Sequence, residues 1–177
     1  DSLADLVSFG LAPALVMYVW ALSTLGKLGW LAAFIYTASA ALRLARFNIQ
    51  IGVADKRYFT GLPSPSAAAV VAGMVWVVHD YDVPGREVTW IALGVTIVAG
   101  LLMVSNFRYR SFKDLDLKGK VPFVVVLMVM LVYVLITIDP PQVLFAIFLG
   151  YAISGPITTL GLLRRVRHRH KDGGEQK

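Results

Sequence analysis

Six apolar stretches, separated by connections that alternate sharply in charge, limit what this chain can become. The stretches are 3–22, 28–48, 65–79, 88–105, 121–138 and 142–163. A helical span of a bilayer needs roughly 20 apolar residues, because each residue rises about 1.5 Å across a core of about 30 Å. The third stretch is short, bounded by Pro65 and His79. Of 17 Lys and Arg, just Lys27 and Arg86 fall in the connections 23–27, 80–87 and 139–141. The others lie at the chain start, in 49–64 and 106–120, in the tail from 164, or at helix ends beside these. Six alternating spans produce this phase, and the positive-inside rule places the basic set in the cytoplasm. The expected fold is all-α, a polytopic transmembrane bundle over 1–163 with a basic cytoplasmic tail over 164–177.

Composition agrees. Hydrophobic residues make up 57% and charged residues 16% of 177 residues, against about half and a quarter in soluble domains. The net charge of +6 is then a loop bias and an attraction to anionic membrane lipids, with no nucleic acid partner expected. The tail, Arg164 to Lys171, reads as an orientation signal, and its cations disfavour a metal at His168 and His170. The chain has no cysteine, which removes thiolate metal sites and cysteine nucleophiles within it. It opens on Asp1 at the edge of an apolar helix, with no leader pattern, and is expected to be part of a longer chain.

Ionisable groups inside spans are expensive and mark function. Asp1, Asp5 and Ser8 follow i, i+4, i+7 spacing, so an α-helix puts them on one face, which Ala12 continues. Two carboxylates one turn apart repel, which calls for a cation or a shared proton. A divalent Mg²⁺ or Mn²⁺ suits hard oxygen ligands, although two carboxylates under-fill its shell. The alternative is that both stay at the wet interface near the helix N-terminus. The second stretch carries Tyr36, Ser39, Arg43, Arg46 and Gln50 in one narrow stripe. Such a stripe turns inward, and its arginines either snorkel or hold phosphate or carboxylate. Ser64 reads as an N-cap with Pro65 at the first helical position, at a helix entrance able to hold an anion. The segment Ser105–Lys120, with Arg108 and Lys120 among its cations, reads as an interfacial belt or a rim that attracts anionic substrates. Together these groups suit metal-assisted chemistry on a phosphate whose lipid tail stays in the bilayer.

Asp1-x-x-x-Asp5 followed by Leu6-Val7-Ser8-Phe9-Gly10-Leu11-Ala12-Pro13-Ala14 resembles the second half of the CDP-alcohol phosphatidyltransferase signature, D-x-x-D-G-x-x-A-R-x8-G-x3-D-x3-D. Three further blocks resemble the phosphatidylserine synthase branch of that family: Arg46-Phe47-Asn48, Tyr58-Phe59-x-Gly61-Leu62-Pro63-Ser64-Pro65, and Ser105-Asn106 through Lys120-Val121-Pro122-Phe123. The last two spans match in hydropathy alone. The resemblance implies transfer of a phosphatidyl group from CDP-diacylglycerol to the hydroxyl of L-serine, giving phosphatidylserine and CMP. It implies Asp1 and Asp5 as ligands of a divalent metal, Asp5 as general base, and a homodimer. It also implies an upstream D-x-x-D-G-x-x-A-R, eight residues, then G-x3 directly before Asp1. Candidates for the serine carboxylate are Arg43, Arg46 and Arg108, and for its ammonium Asn48; Ser8, Ser64 and Lys120 complete the expected substrate contacts. The expected location is the bacterial inner membrane, with the site facing the cytoplasm. Other alcohols, namely glycerol 3-phosphate, inositol or choline, are alternatives, and a transporter or non-catalytic subunit is a third. Ionisable residues confined near one membrane face disfavour a through-path.

Overall fold

The computed structural model describes residues 2–50, 58–110 and 123–172, with side chains over 2–49, 60–107, Tyr109 and 123–159. Six helices follow the six apolar stretches: α1 (Ser2–Trp20), α2 (Lys27–Gln50), α3 (Ser64–Asp80), α4 (Thr89–Val104), α5 (Phe123–Ile138) and α6 (Pro140–Asp172). Three are long and apolar enough to cross a membrane, over Ser2–Trp20, Lys27–Ile49 and Pro140–Thr159; α4 and α5 are shorter apolar helices. The last helix outruns its expected end at 163 and carries the basic segment on to Asp172. Cations in a final turn favour the negative end of the helix dipole, so nothing in Arg164–Lys171 stops it.

Small residues form the seams. α2 packs on α4, α3 on α6, and α1 on both α2 and α3. Ala14, Ala32, Ala40, Ala67, Ala92 and Ala99 are buried with Met17, Tyr36, Val71 and Met103 among them. Lipid tails are as apolar as leucine, so helices in a bilayer gain by close backbone approach, which small side chains permit. The large side chains point outward instead: Leu3, Val19, Trp30, Phe34, Trp90 and Leu101 are exposed, and α5 has no buried residue. A soluble monomer rarely shows so much contiguous apolar surface. This is a helical membrane protein.

One end of the bundle carries a feature the apolar pattern gave no hint of. β1 (Tyr58–Thr60) pairs antiparallel with β2 (Arg108–Arg110), Tyr58 opposite Arg110 and Thr60 opposite Arg108. The ribbon continues as Gly61 N–H to the Phe107 carbonyl and Leu62 N–H to the Leu102 carbonyl, both 2.9 Å. The α2–α3 and α4–α5 connections are thereby joined, and Leu62 is fully buried where they meet. Gly61 makes the turn at φ +80°, and a Cβ there would run into the Met103 carbonyl. Strands of three residues carry too little alternation to be read from sequence.

Gly61→Ala is therefore expected to be destabilising. The left-handed backbone costs an L-residue roughly 1–2 kcal/mol, and the clash adds to that. A thermal unfolding midpoint equal to the parent's in detergent would contradict this account of the junction.

Candidate active site

The first turns of α1 are not a plain α-helix. Residues Val7–Leu11 form a π-turn, in which the Ala12 N–H reaches back to the Val7 carbonyl. Pro13 explains it. A proline has no N–H, and its ring crowds the carbonyl four residues before it, here that of Phe9. The helix widens by one residue ahead of Pro13, and the Phe9 carbonyl takes its hydrogen bond from the Tyr36 hydroxyl of α2 at 3.0 Å. This corrects the expected helical face. Asp5, Ser8 and Ala12 are all exposed, but α-helical counting from Asp5 to Ala12 does not hold across the π-turn.

Antiparallel packing sets the depth of Asp5. The Asn48 side-chain amide donates to the Ser2 hydroxyl at 3.2 Å. Further along, Gly10 lies so close to α2 that a Cβ on it would stand 3.0 Å from the Ala40 Cβ. Between these two contacts, Asp5 stands at the level of the Arg43–Arg46 turn. The carboxylate and the two guanidinium-bearing residues occupy the same end of the bundle. Asp1 lies outside the described residues.

The stripe on α2 turns inward as its pattern requires. Tyr36 and Ser39 are buried, and Arg43 and Arg46 are half-buried; the Gln50 side chain is outside the described set. The two arginines have different surroundings. Arg46 Nη1 lies 3.3 Å from the Val104 carbonyl, 3.5 Å from the Ser105 carbonyl and 3.2 Å from Asn106 Oδ1. Those carbonyls end α4 without helical partners, so Arg46 fastens α2 to that helix end. Arg43 Nη1 donates to the Ser64 hydroxyl at 3.1 Å, while its Nε is buried with no hydrogen-bond partner among the described residues.

Ser64 differs from its expected role. The Pro63 carbonyl accepts the first helical bond, from the Ala67 N–H at 3.0 Å, so Pro63 is the N-cap and Ser64 the first helical residue. The Ser64 hydroxyl, buried, faces Arg43 instead of capping. A guanidinium thus meets the positive end of α3, and two positive features at one point favour an anion there.

A third wall was not visible in the sequence. Tyr109 of β2 is fully buried: its hydroxyl donates to the Ala152 carbonyl of α6 at 2.9 Å, and its ring lies on Gly155. Burial, with the nearby Tyr151 adding to it, pushes the Tyr109 phenol up to about 12. The hydroxyl stays a proton donor throughout the physiological range. The Tyr109 and Tyr151 rings stand 5.5 Å apart, tilted by 45°, and Tyr151 is close enough to Arg43 for an electrostatic interaction. No signal short of the ribbon pairing could have brought α6 to this point, because its residues stood out in hydropathy alone. Of the other expected contacts, Arg108 lies in β2 opposite Thr60, with its side chain outside the described set, and Lys120 lies outside the described residues.

Carboxylate oxygens fit Mg²⁺ or Mn²⁺ in kind. Among the described residues no three His, Cys, Asp or Glu side chains come together to hold a metal. Asp5 alone could offer such an ion one carboxylate.

The four motif blocks, scattered from residue 2 to residue 110, converge here through Ser2–Asn48, Arg46–Asn106 and the β1–β2 pairing. Comparison with known proteins points the same way. The family model for CDP-alcohol phosphatidyltransferase matches residues 1–102. The CDP-diacylglycerol–serine O-phosphatidyltransferase of Helicobacter pylori (strain J99) is 34% identical over 167 residues, covering 94% of this chain and 68% of that protein. The protein of the same name from Bacillus subtilis (strain 168) is 37% identical over 113 residues, covering 64% and 58%. The one from Mycobacterium leprae is 29% identical over 161 residues, covering 88% and 53%. Signature, fold and relatives agree: this chain belongs to the CDP-alcohol phosphatidyltransferase family.

Proposed function

We propose that the protein transfers the phosphatidyl group of CDP-diacylglycerol to the hydroxyl of L-serine, giving phosphatidylserine and CMP. The observation that carries this reading is the juxtaposition of Arg43 and Asp5 at one level of the bundle. Arg43 offers a guanidinium whose Nε lacks a partner, beside the N-terminus of α3. Serine differs from other acceptor alcohols in bringing a carboxylate, and a planar guanidinium holds a carboxylate through two parallel bonds. Arg46, engaged with the end of α4, is the weaker candidate for that role. Asn48 offers an amide oxygen to the serine ammonium, since its Nδ2 is already directed at Ser2.

With serine held this way, its hydroxyl lies between Asp5 and the lipid diphosphate. The Asp5 carboxylate takes the hydroxyl proton. The serine oxygen bonds to the phosphatidyl phosphorus as the phosphorus–oxygen bond to the cytidylyl half breaks, and CMP departs with that electron pair. Arg43, with Arg108 and Arg110 of β2, draws anionic substrates to this end. Bound at Asp1 and Asp5, Mg²⁺ or Mn²⁺ would neutralise charge on the diphosphate and on departing CMP. The diacylglycerol tails stay among the outward-facing side chains of the bundle. The charge bias of the connections supports a bacterial inner-membrane location with the site on the cytoplasmic side, and the family resemblance supports a homodimer.

Two substitutions in the full-length enzyme test the assignment. Asp5→Asn keeps size and removes basicity, and is expected to lower kcat by roughly 10²–10⁴ with the helices still inserted. Near-normal turnover would rule out Asp5 as the base. Arg43→Lys keeps charge and loses the fork; it is expected to raise the KM for serine about tenfold, leaving the KM for CDP-diacylglycerol unchanged. An unchanged serine KM would remove Arg43 from the carboxylate site. CMP release independent of serine, or faster with glycerol 3-phosphate, inositol or choline, would overturn the reaction itself.

A further inference from the structure

The Tyr36–Phe9 contact has no role in substrate binding as described, yet it joins the most deeply buried polar side chain of α2 to the backbone just after Asp5. Tyr36 is fully buried. Its own backbone is pinned by Gly100 of α4, where a Cβ would stand 3.2 Å from the Tyr36 Cα. The hydroxyl therefore projects from a fixed point, and at 3.0 Å it fixes the Phe9 carbonyl in turn.

We propose that Pro13, the π-turn at Val7–Leu11 and Tyr36 together set the rotation of the segment that carries Asp5, which makes Tyr36 a positioning residue for phosphatidyl transfer. The inference rests on the role assigned to Asp5 above. Its physical basis is the geometry of one extra residue. An α-helix turns about 100° per residue, so a single insertion offsets everything upstream by about a quarter turn relative to the packed part of α1. Downstream, Pro13, Ala14 and Met17 are buried and hold their face against the core. Upstream, α1 has no buried residue over Ser2–Leu6. The core grips the downstream face firmly, Leu6 and the Asn48–Ser2 hydrogen bond hold the upstream segment more lightly, and the π-turn sets the rotation between the two that decides where the Asp5 side chain points. Short π segments inside α-helices are frequent at functional sites.

A plainer reading gives Tyr36 the single task of satisfying a carbonyl that Pro13 left without a donor. The two readings part on Pro13→Ala. That change restores an N–H at position 13 and removes the ring that crowds Phe9, so the segment can rewind to an α-helix. If the π-turn is merely tolerated, Pro13→Ala leaves turnover at the parent's level. If it aims Asp5, the melting midpoint of the full-length enzyme stays within a few degrees of the parent's or rises, while kcat falls roughly tenfold or more. The KM values for serine and CDP-diacylglycerol then stay within about twofold, because the lost contact belongs to the transition state.

Tyr36→Phe supplies the second arm. Alone, it is expected to lower both midpoint and kcat. Combined with Pro13→Ala, the midpoint should return, because the position-13 N–H now meets the Phe9 carbonyl, and kcat should stay low. Parent-level kcat in Pro13→Ala, or kcat that recovers with the midpoint in the double variant, overturns the proposal. Asp5→Asn separates the two levels of inference. An inactive Asp5→Asn beside a fully active Pro13→Ala rejects the positioning device alone; an active Asp5→Asn rejects the role of Asp5 itself.

Discussion

A guanidinium cannot be left facing hydrocarbon, and the rest of this structure is arranged around that constraint. α2 brings Arg43 and Arg46 into an otherwise apolar bundle, and each must find acceptors there. Arg46 finds them at the end of α4, in carbonyls that a helix terminus leaves open. That contact, with the β1–β2 ribbon beside it, draws two long connections onto one end of the bundle. Arg43 finds the Ser64 hydroxyl and nothing for its Nε. On the proposed reading, that difference separates support from site. One is used up in holding the elements together, and the other keeps a donor in reserve.

Most of the fold was legible because lipid imposes so few solutions. Six apolar stretches of about the right length, with basic connections on alternate sides, leave little besides a six-helix bundle, and apart from the end of α6 the helix boundaries fall within a few residues of the expected ones. The inward turn of the α2 stripe was legible for the same reason: a polar face on an apolar helix has one sheltered direction to point. The π-turn was not, although its cause, Pro13, stood in plain view. Counting i, i+4, i+7 from Asp1 and on to Ala12 presumes the hydrogen-bond pattern that Pro13 interrupts four residues earlier. The Ser64 cap was misplaced by one residue, because capping preference takes no account of a guanidinium competing for the same hydroxyl.

The ribbon and the Tyr109–Tyr151 pair lay beyond sequence reading for a deeper reason. Each depends on segments brought together from far along the chain, β1 to β2 and then β2 to α6, and none has a pattern of its own. Tyr-Phe-Thr and Arg-Tyr-Arg are too short to show alternation. Tyr151 sits in a helix whose whole signal is hydrophobic. Only with Tyr109 seated on Gly155 and bonded to Ala152 does α6 become a wall of the site rather than one more span.

The two ends of the bundle show what a catalytic site in a membrane requires. Away from the motif blocks, the buried polar groups find partners within the fold: the Thr89 hydroxyl is buried among the carbonyls of Ala21, Gly85 and Arg86. Gly85 lies directly against the Trp20 carbonyl, and Gly29 against that of Leu22. Among the described residues, no buried side-chain polar atom at that end lacks a partner. At the other end a buried donor is left open among the described residues, a helix N-terminus meets the same guanidinium, and an exposed carboxylate stands at the same level of the bundle. An unmet buried donor costs a protein roughly 1–3 kcal/mol, and a fold that closes its polar groups so thoroughly at one end has the means to close them at the other. Keeping that donor open is reasonable where an anionic substrate supplies the acceptor, so that the deficit in folding becomes part of the affinity for what binds. The same reasoning explains why the arginine sits inside the bundle and not in the headgroups: outside, water would satisfy the Nε, and no deficit would be left for a substrate carboxylate to relieve.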